Sequence, residues 1–570
     1  MTDVLIVGLG GAGGIAADVL TCAGIEVTAL EAGPRRSAAE MTLDEVRNDV
    51  QEWLCAPKAL GELPTWRTDP SGEAGVAAWP LAMVNGVGGS TSHYPGLSAR
   101  FHHWNFAPRS TSIARYGASA IPAGSTLADW PVGYDELEPF YDAVEHAIGV
   151  AGAAGNVGGE RHPGGSEFEE RRMRGYPLPP LRSTGWTELT ADAARGLGWH
   201  PFPAPAAINS LPYNGNPECT YCGFCTANGC YRDARGSTDA TAIRRAEATG
   251  LLRVETGARV LRIESGGDGR VTGATYVQDG RERFCGARAV LLAAFTYENT
   301  RLLLLSRSPA HEGGLANGND QVGRHYMAHV TPFAFGRFPG HRLNLFNGTW
   351  SQATCVDDWN ADNFDHAGLG FIGGGLLTAS HELKPIAFAG FPPPPGVPRF
   401  GSGWKAWLAG NAQSVGALSG QMECLSYEDN RLDLDPRVRD PHGTPVVRVT
   451  FRVGENELRG SAWLAERQEE WLRAAGADLV WHAPRPFVEA RHCYGGTRMG
   501  DDPESSVVDR HGFAHTAPNL GILGSSVFPS SGGHNPTLTL QALAWRTAQR
   551  LVERWDDIAG SAPAGVSRSI

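Results

Sequence analysis

Cys219, Cys222, Cys225 and Cys230 fall within twelve residues. Their C-x2-C-x2-C-x4-C spacing is close to the C-x2-C-x2-C-x3-C run of iron–sulfur proteins, in which thiolates from one loop converge on one cluster. Four thiolates also suit tetrahedral zinc, two disulfides would consume the same residues, and reduced bystander thiols are a fourth reading. Cys22, Cys55, Cys285, Cys355, Cys424 and Cys493 are scattered and read as buried apolar thiols.

A second motif that could do chemistry opens the chain. Gly8-Leu9-Gly10-Gly11-Ala12-Gly13 is a G-x-G-x-x-G turn between an apolar strand, 4–7, and a helical stretch, 15–22. A further strand, 27–30, ends on Glu31, 18 residues past the last glycine. The glycine pattern alone is weak, but inside a βαβ unit with the acidic residue in place it marks a dinucleotide site. Gly8 permits the tight turn, Gly10 lets the backbone approach a pyrophosphate, and Gly13 lets the helix pack close to the sheet. The helix N-terminus offers free N–H groups to the phosphates. Glu31 can accept hydrogen bonds from both ribose hydroxyls, which fits FAD or NAD and disfavours a 2′-phosphate.

These residues need a large frame. A chain of 570 residues exceeds one hydrophobic core and suggests two to four domain-sized units. With 42% apolar and 19% charged residues it should fold. Lys and Arg number 49 against 61 Asp and Glu, a net charge of −12, so no basic footprint for nucleic acid or an anionic membrane exists. No apolar run is long enough to insert in a membrane, and the N-terminus runs at once into a strand, which taken alone says cytoplasmic. Residues 40–80 read as loop with a few helical turns. A helix is expected over 134–148, an excursion loop over 151–180, and strands over 254–264 and 270–277 around a Gly266-Gly267-Asp268-Gly269 turn. A buried strand follows over 289–294. From 325 to 490 short alternating strands and a helix near 455–475 suggest an α+β unit on an antiparallel sheet. A last helix is expected over 537–555. Asn535-Pro536 precedes it, with Asn suited to the N-cap and Pro to the first helical position.

Three stretches together are specific. They are the N-terminal fingerprint, the segment Gly86-Val87-Gly88-Gly89-Ser90-Thr91-Ser92-His93-Tyr94, and a C-terminal block. That block holds His492-Cys493-Tyr494-Gly495-Gly496-Thr497 and Gly532-Gly533-His534-Asn535-Pro536-Thr537. The chain resembles the glucose–methanol–choline (GMC) flavoprotein oxidoreductases, most of all the large subunits of gluconate, ketogluconate, fructose and glucoside-3 dehydrogenases, with pyranose oxidases as further kin. It departs from their usual pattern at Gly524-Ser525-Ser526 and at Gly496. The resemblance covers nearly the whole chain and is weakest over 330–490.

The resemblance implies a Rossmann-like, p-hydroxybenzoate-hydroxylase-like FAD domain and an α+β substrate domain built on an antiparallel sheet. The FAD domain would be assembled from 1–110, 205–324 and 491–557, the substrate domain from 325–490, with an excursion at 111–204 and a tail at 558–570. It also implies FAD and a sugar-like alcohol. His492 is then the base that takes the hydroxyl proton while hydride leaves for flavin N5, and Asn535 is the amide that orients the alcohol oxygen. An imidazole suits that task because its ordinary pKa of about 6.5 lies near working pH. His534, one step along the chain, should point elsewhere. Gly86, Gly88, Gly89 and Ser90 are expected around the flavin and Val260 at the adenine, with Ser525 and Thr537 as further contacts. The helix after Asn535 would aim its positive end at the reduced flavin. His93 stands four residues after Gly89, where related enzymes have a flavin-linked histidine, so it is either a covalent anchor or a pocket residue.

The subgroup carries a three-iron [3Fe-4S] cluster, which assigns the four clustered cysteines to electron exit toward a small subunit or a cytochrome c. Export folded on a partner's Tat signal would then make the chain periplasmic. The alternatives are a pyranose or glycoside oxidase with structural cysteines, and an electron-transfer or scaffold subunit with no substrate site. Trp350 and Trp359 are candidates to stack on a sugar ring.

Overall fold

The computed structural model of the chain describes residues 1–76 and 83–560. Its largest sheet is built by the N-terminal motif. Strand β1 (Thr2–Val7) has Val4, Leu5 and Ile6 fully buried, so it reads as a continuous apolar run, as a strand covered on both faces must. It pairs in parallel with β2 (Val27–Glu31) on one side. Beyond β2 lies β3 (Leu252–Thr256), and on the other side of β1 lies β4 (Arg281–Leu292), both parallel. Strand β5 (Ala517–Ile522) pairs in parallel with the end of β4. The first half of β4 turns away and pairs antiparallel with Val271–Gln278, which pairs antiparallel with Arg259–Ser265.

The strand expected over 254–264 is therefore two strands. Gly257, at φ 63°, breaks the run, and the halves join different neighbours, β2 on one side and Val271–Gln278 on the other. A side-chain run without alternation could not show where one sheet hands over to another.

Helix α1 (Gly11–Cys22) packs against α3 (Thr537–Glu553), and α3 packs against α2 (Tyr134–Ile148). Small residues let α1 pack closely: Ala12, Gly13, Ala16 and Ala17 are buried, and Gly11 lies beside Leu540 and Gln541 of α3. Cys22, expected inside, is exposed, because α1 ends there at the surface.

The second layer system is a six-stranded, wholly antiparallel sheet with the order 479–482, 333–337, 415–420, 377–379, 354–356, 201–203. The amphipathic helix Glu455–Ala474 packs on it and buries Leu464, Trp471 and Leu472 in an aromatic core with Trp186 and Phe335. Residues 40–76 are more ordered than expected. Thr65–Arg67 and Gly75–Val76 form a four-stranded sheet with Arg431–Arg439 and Pro445–Thr450, a pairing across some 370 residues that no local pattern announces. No helix among the described residues is long and apolar enough to cross a membrane. The expected tail lies, from residue 561 on, outside the described residues.

Candidate active site

Two glycine turns touch to make the floor of one cavity. The Gly88 amide donates to the Leu9 carbonyl at 2.8 Å, and a Cβ on Gly89 would stand 2.8 Å from the Gly10 Cα. Backbone against backbone at that range leaves no room for side chains, so the turns present N–H groups and little else. The cavity above them is about 490 Å³. Gly8, Gly10, Glu31, Gly89, Ser90, His93, Val260, His492, Ser525, Asn535 and Thr537 all line it. The structure thus brings together residues from both ends of the chain. Gly13, Gly86 and Gly88 do not reach it. Gly13 packs on the Gly8 carbonyl, Gly86 lies against Pro34 and Arg36, and Gly88 abuts Asp239, so all three shape the cradle from behind.

Glu31 holds the turn as well as facing the cavity. Its two oxygens accept the amides of Leu9 at 3.0 Å and Gly33 at 2.8 Å. Burial pushes its pKa up against the pull of those amides. Beside it lies a group that sequence reasoning missed. Lys58 and Arg259 both pair with Glu62, and Lys58 also donates to Asn85 Oδ1 at 3.1 Å. Burial opposes the charge on Glu62, yet the two cations hold its carboxyl down at about 2. A short helix inside a stretch read as loop carries Lys58, and no spacing rule connects it to Arg259.

The opposite end of the cavity holds His492 and Asn535. His492 lies on the strand Phe487–Tyr494, which pairs antiparallel with Met327–Thr331. Ala328 pairs Cys493 but Val330 pairs Val488, so the single residue His329 opposes the four residues 489–492. This wide bulge turns Glu489, Arg491 and His492 toward the cavity. Asn535 Nδ2 stands 3.3 Å from His492 Nε2. The expected cap does not form. Helix α3 starts at Thr537, Pro536 occupies the N-cap position, and no side chain caps the helix. Asn535 is thereby left to the site, and its buried Oδ1 has no partner.

Burial, with the nearby His329 and Arg491, holds the His492 imidazole well below its ordinary value. Its partly exposed edge faces the cavity. His93 is buried, its Nε2 is unpartnered, and burial with the fields of Arg491 and Arg235 lowers it to about 3. His534 does point elsewhere. Its Nε2 lies 3.2 Å from Asp357 Oδ1 and 2.9 Å from Asn360 Nδ2, in a buried group that His102 completes through Asp357 Oδ2 at 2.8 Å. Trp350 lines the cavity, whereas Trp359 packs edge-on against Trp199 and Trp463 in the core.

The four clustered cysteines border this cavity without lining it; Thr226 and Ala227 of their loop do line it. Buried Arg235 ties the loop down, donating to the carbonyls of Cys225, Asn228 and Ser92, the last beside His93. None of the four is in a disulfide. Zinc at 2.3 Å from each sulfur would place the sulfurs about 3.8 Å apart. Among the described residues no three of the four sulfurs lie within 4.8 Å of one another. Burial raises the thiols of Cys222 and Cys225, and that of Cys219 to about 11.

The cavity has the features a flavin dinucleotide needs. A side-chain-free cradle is there to take phosphates, the Glu31 carboxylate would meet a ribose, and two unpartnered buried atoms, His93 Nε2 and Asn535 Oδ1, stand in its wall. Comparison with known proteins agrees. Solved structures of pyridoxine 4-oxidase from Mesorbium loti (TM-score 0.60, 17% identity, 96% of this chain and 99% of that one) and of formate oxidase (TM-score 0.63, 16%, 98% and 99%) share the fold. Among curated proteins, the gluconate 2-dehydrogenase flavoprotein of Pantoea cypripedii is 32% identical over 97% of this chain and 94% of its own length. The paromamine 6'-oxidase of Streptomyces fradiae is 29% identical over 96% and 90%, and the fructose dehydrogenase large subunit of Gluconobacter japonicus 27% over 96% and 97%. Two family models described as GMC oxidoreductase match residues 184–331 and 426–544. Full-length similarity on that scale, over a cavity built for a dinucleotide, makes this chain a member of the GMC oxidoreductases, FAD-dependent enzymes acting on alcohol donors.

Proposed function

We propose that the protein oxidises a secondary alcohol of a sugar or glycoside and passes the electrons through an iron–sulfur cluster to a one-electron acceptor. The observation that carries the first half is the pairing of His492 Nε2 with Asn535 Nδ2 at 3.3 Å in the wall of the dinucleotide cavity. An alcohol oxygen in the cavity within reach of both donates its proton to the imidazole and accepts from the amide. FAD, when bound, supplies the two-electron acceptor. Gln421, Trp350 and Phe391 give the adjoining wall one amide and two aromatic faces, a mixture suited to a carbohydrate ring. The sugar-dehydrogenase names among the relatives support the substrate class. Anaerobic bleaching of the flavin by a panel of sugars, sugar acids and glycosides tests it. A flavin that no carbohydrate reduces would leave an electron carrier or scaffold.

The second half rests on the cysteine loop. A reduced flavin holds two electrons and can release them one at a time, and a cluster beside it would carry each in turn to a one-electron acceptor. The loop meets the cavity at Thr226 and Ala227, and its C-x2-C-x2-C-x4-C spacing is close to that of cluster-binding runs. A cluster there favours a small subunit or a cytochrome c as partner, and export with that partner. Anaerobically purified protein is expected to contain iron and acid-labile sulfide. Replacing Cys219 and Cys222 by Ser should spare flavin reduction by substrate and stop transfer to a one-electron acceptor protein. Protein without iron that forms hydrogen peroxide on sugar turnover is instead an oxidase, the reading that the paromamine 6'-oxidase relative favours.

His93 is proposed as the flavin's covalent anchor, on the strength of its unpartnered, uncharged Nε2 in the cavity wall. Acid precipitation should carry the yellow colour into the pellet; colour left in the supernatant makes His93 a pocket residue.

A further inference from the structure

The base needs one particular tautomer, and the wall behind it holds what would select it. His329, fully buried, has Nε2 2.5 Å from the Gly532 carbonyl. A carbonyl only accepts, so Nε2 carries the hydrogen. Burial lowers His329 to about 4, so the ring is neutral and its Nδ1 is bare. That bare nitrogen stands 3.1 Å from His492 Nδ1. A contact between two ring nitrogens at this range is a hydrogen bond only if one is protonated, which puts a hydrogen on His492 Nδ1 and leaves His492 Nε2 bare.

The Gln421 side chain touches both rings, with Oε1 2.9 Å from His329 Nδ1 and 3.1 Å from His492 Nδ1. If that atom is oxygen, it too accepts from His492 Nδ1–H. If the amide is turned over, its NH2 donates to the bare His329 Nδ1. Neither orientation fixes the His492 tautomer by itself, since the oxygen would face the bare His329 Nδ1 and the NH2 would face His492 Nδ1; the assignment rests on the Gly532 carbonyl and the His329–His492 contact. The Tyr494 hydroxyl, 2.9 Å from His329 Nε2, shares that hydrogen with Gly532 and leaves the assignment unchanged.

We propose that His329 is a positioning residue: it takes the hydrogen bond from His492 Nδ1–H, fixes His492 Nε2 as the bare nitrogen facing the substrate, and shares the proton that Nε2 accepts. This rests on reading His492 as the base. In the proton transfer the alcohol O–H bond breaks and a bond to His492 Nε2 forms. The Nδ1 proton of His492 is then free to pass to His329 Nδ1, so the positive charge spreads over two rings, and no electrons leave or enter the pair. The bulge serves this arrangement, since its three surplus residues let His492 stand opposite His329. The charged and titratable groups facing the pair are Arg491 and Glu489 on the His492 strand, His534 before α3, and Tyr494.

The test uses the FAD-loaded protein and two variants. His329→Leu should slow flavin reduction by substrate about 10²-fold with substrate Kd changed less than about threefold, because the wrong tautomer blocks proton acceptance without emptying the site. His329→Gln, which restores an acceptor but cannot share the proton, should recover about tenfold of that loss. With 15N-labelled histidine, the wild-type His492 signals, assigned by their loss in His492→Ala, should show hydrogen on Nδ1 alone at neutral pH. The Leu variant should show a mixture. Wild-type His492 protonated at Nε2 overturns the proposal even if no His329 variant folds. So does a folded, fully flavinated His329→Leu that reduces at the wild-type rate. Were His492→Ala to reduce normally, the base assignment would fall instead, which keeps the two failures apart.

Discussion

Replacing His492 by Ala is expected to give folded, yellow protein whose flavin is reduced by substrate about 10²–10⁴-fold more slowly, the contribution of a placed general base. Cofactor retention follows from where the binding groups are. Glu31, Gly10, Gly89 and Ser90 line the cavity without bonding to the imidazole, whose partners among the described residues are His329, Gln421 and Asn535. Stopped-flow reduction under anaerobic conditions measures the effect, and added imidazole should recover part of the rate by occupying the vacated space. The pH dependence has a definite sign. Because burial and the neighbouring His329 and Arg491 hold His492 well below 6.5, the base stays unprotonated as the solution is acidified through that value. The reduction rate should therefore stay level from pH 8 to below pH 6, and fall only at lower pH as His492 takes up a proton. A wild-type rate that halves near pH 6.5 would mean an ordinary solvated histidine, and a variant that reduces near-normally would remove His492 from the mechanism.

Much of this site was legible in the sequence because its parts are local. The β1 turn, α1 and Glu31 follow from an apolar run, a glycine spacing and a strand end. Helices at 134–148 and 455–474 follow from amphipathic periodicity. His329 was not legible. It is one histidine in a short buried strand, and its meaning comes from residue 492, reached through a bulge that only the pairing of two strands defines. Gln421 and Lys58 are hidden for the same reason: each acts through partners brought in from distant strands. The Asn535-Pro536 cap shows the converse error. Local propensity for capping was real, but the amide makes a long-range contact with His492 instead, and helix α3 starts uncapped. A broken local rule of this kind is where function tends to show.

Gly13→Ala is expected to yield a colourless protein with a markedly lower Tm, although it adds a single methyl group. A Cβ at residue 13 would stand 2.1 Å from the Gly8 carbonyl oxygen and 3.2 Å from Ile6 Cγ2. The first neighbour is backbone and cannot rotate away. The Gly8 turn cannot retreat either. It runs at φ 90° with its own Cα side against the Ala293 carbonyl, so that a Cβ at Gly8 would lie 2.7 Å from that oxygen. Helix α1 must then move outward by about an ångström to restore ordinary contact, and overpacking of this kind costs about 1–3 kcal/mol or more. The displacement has two consequences for function. It lifts the N–H groups of the first turn off the phosphate cradle, and it pushes on α3, which packs along α1 and begins just after Asn535. Gly196→Ala is the control. Gly196 is likewise a helical glycine, the last residue of Gly185–Gly196; a Cβ there meets nothing within 4 Å, and the substitution should be neutral or stabilising by up to about 1 kcal/mol. The ratio of flavin to protein absorbance and the thermal unfolding midpoint measure both variants. A yellow Gly13→Ala protein that melts with the wild type would show that the turn and α1 separate without cost, and that close packing of helix on turn is not what holds the cofactor.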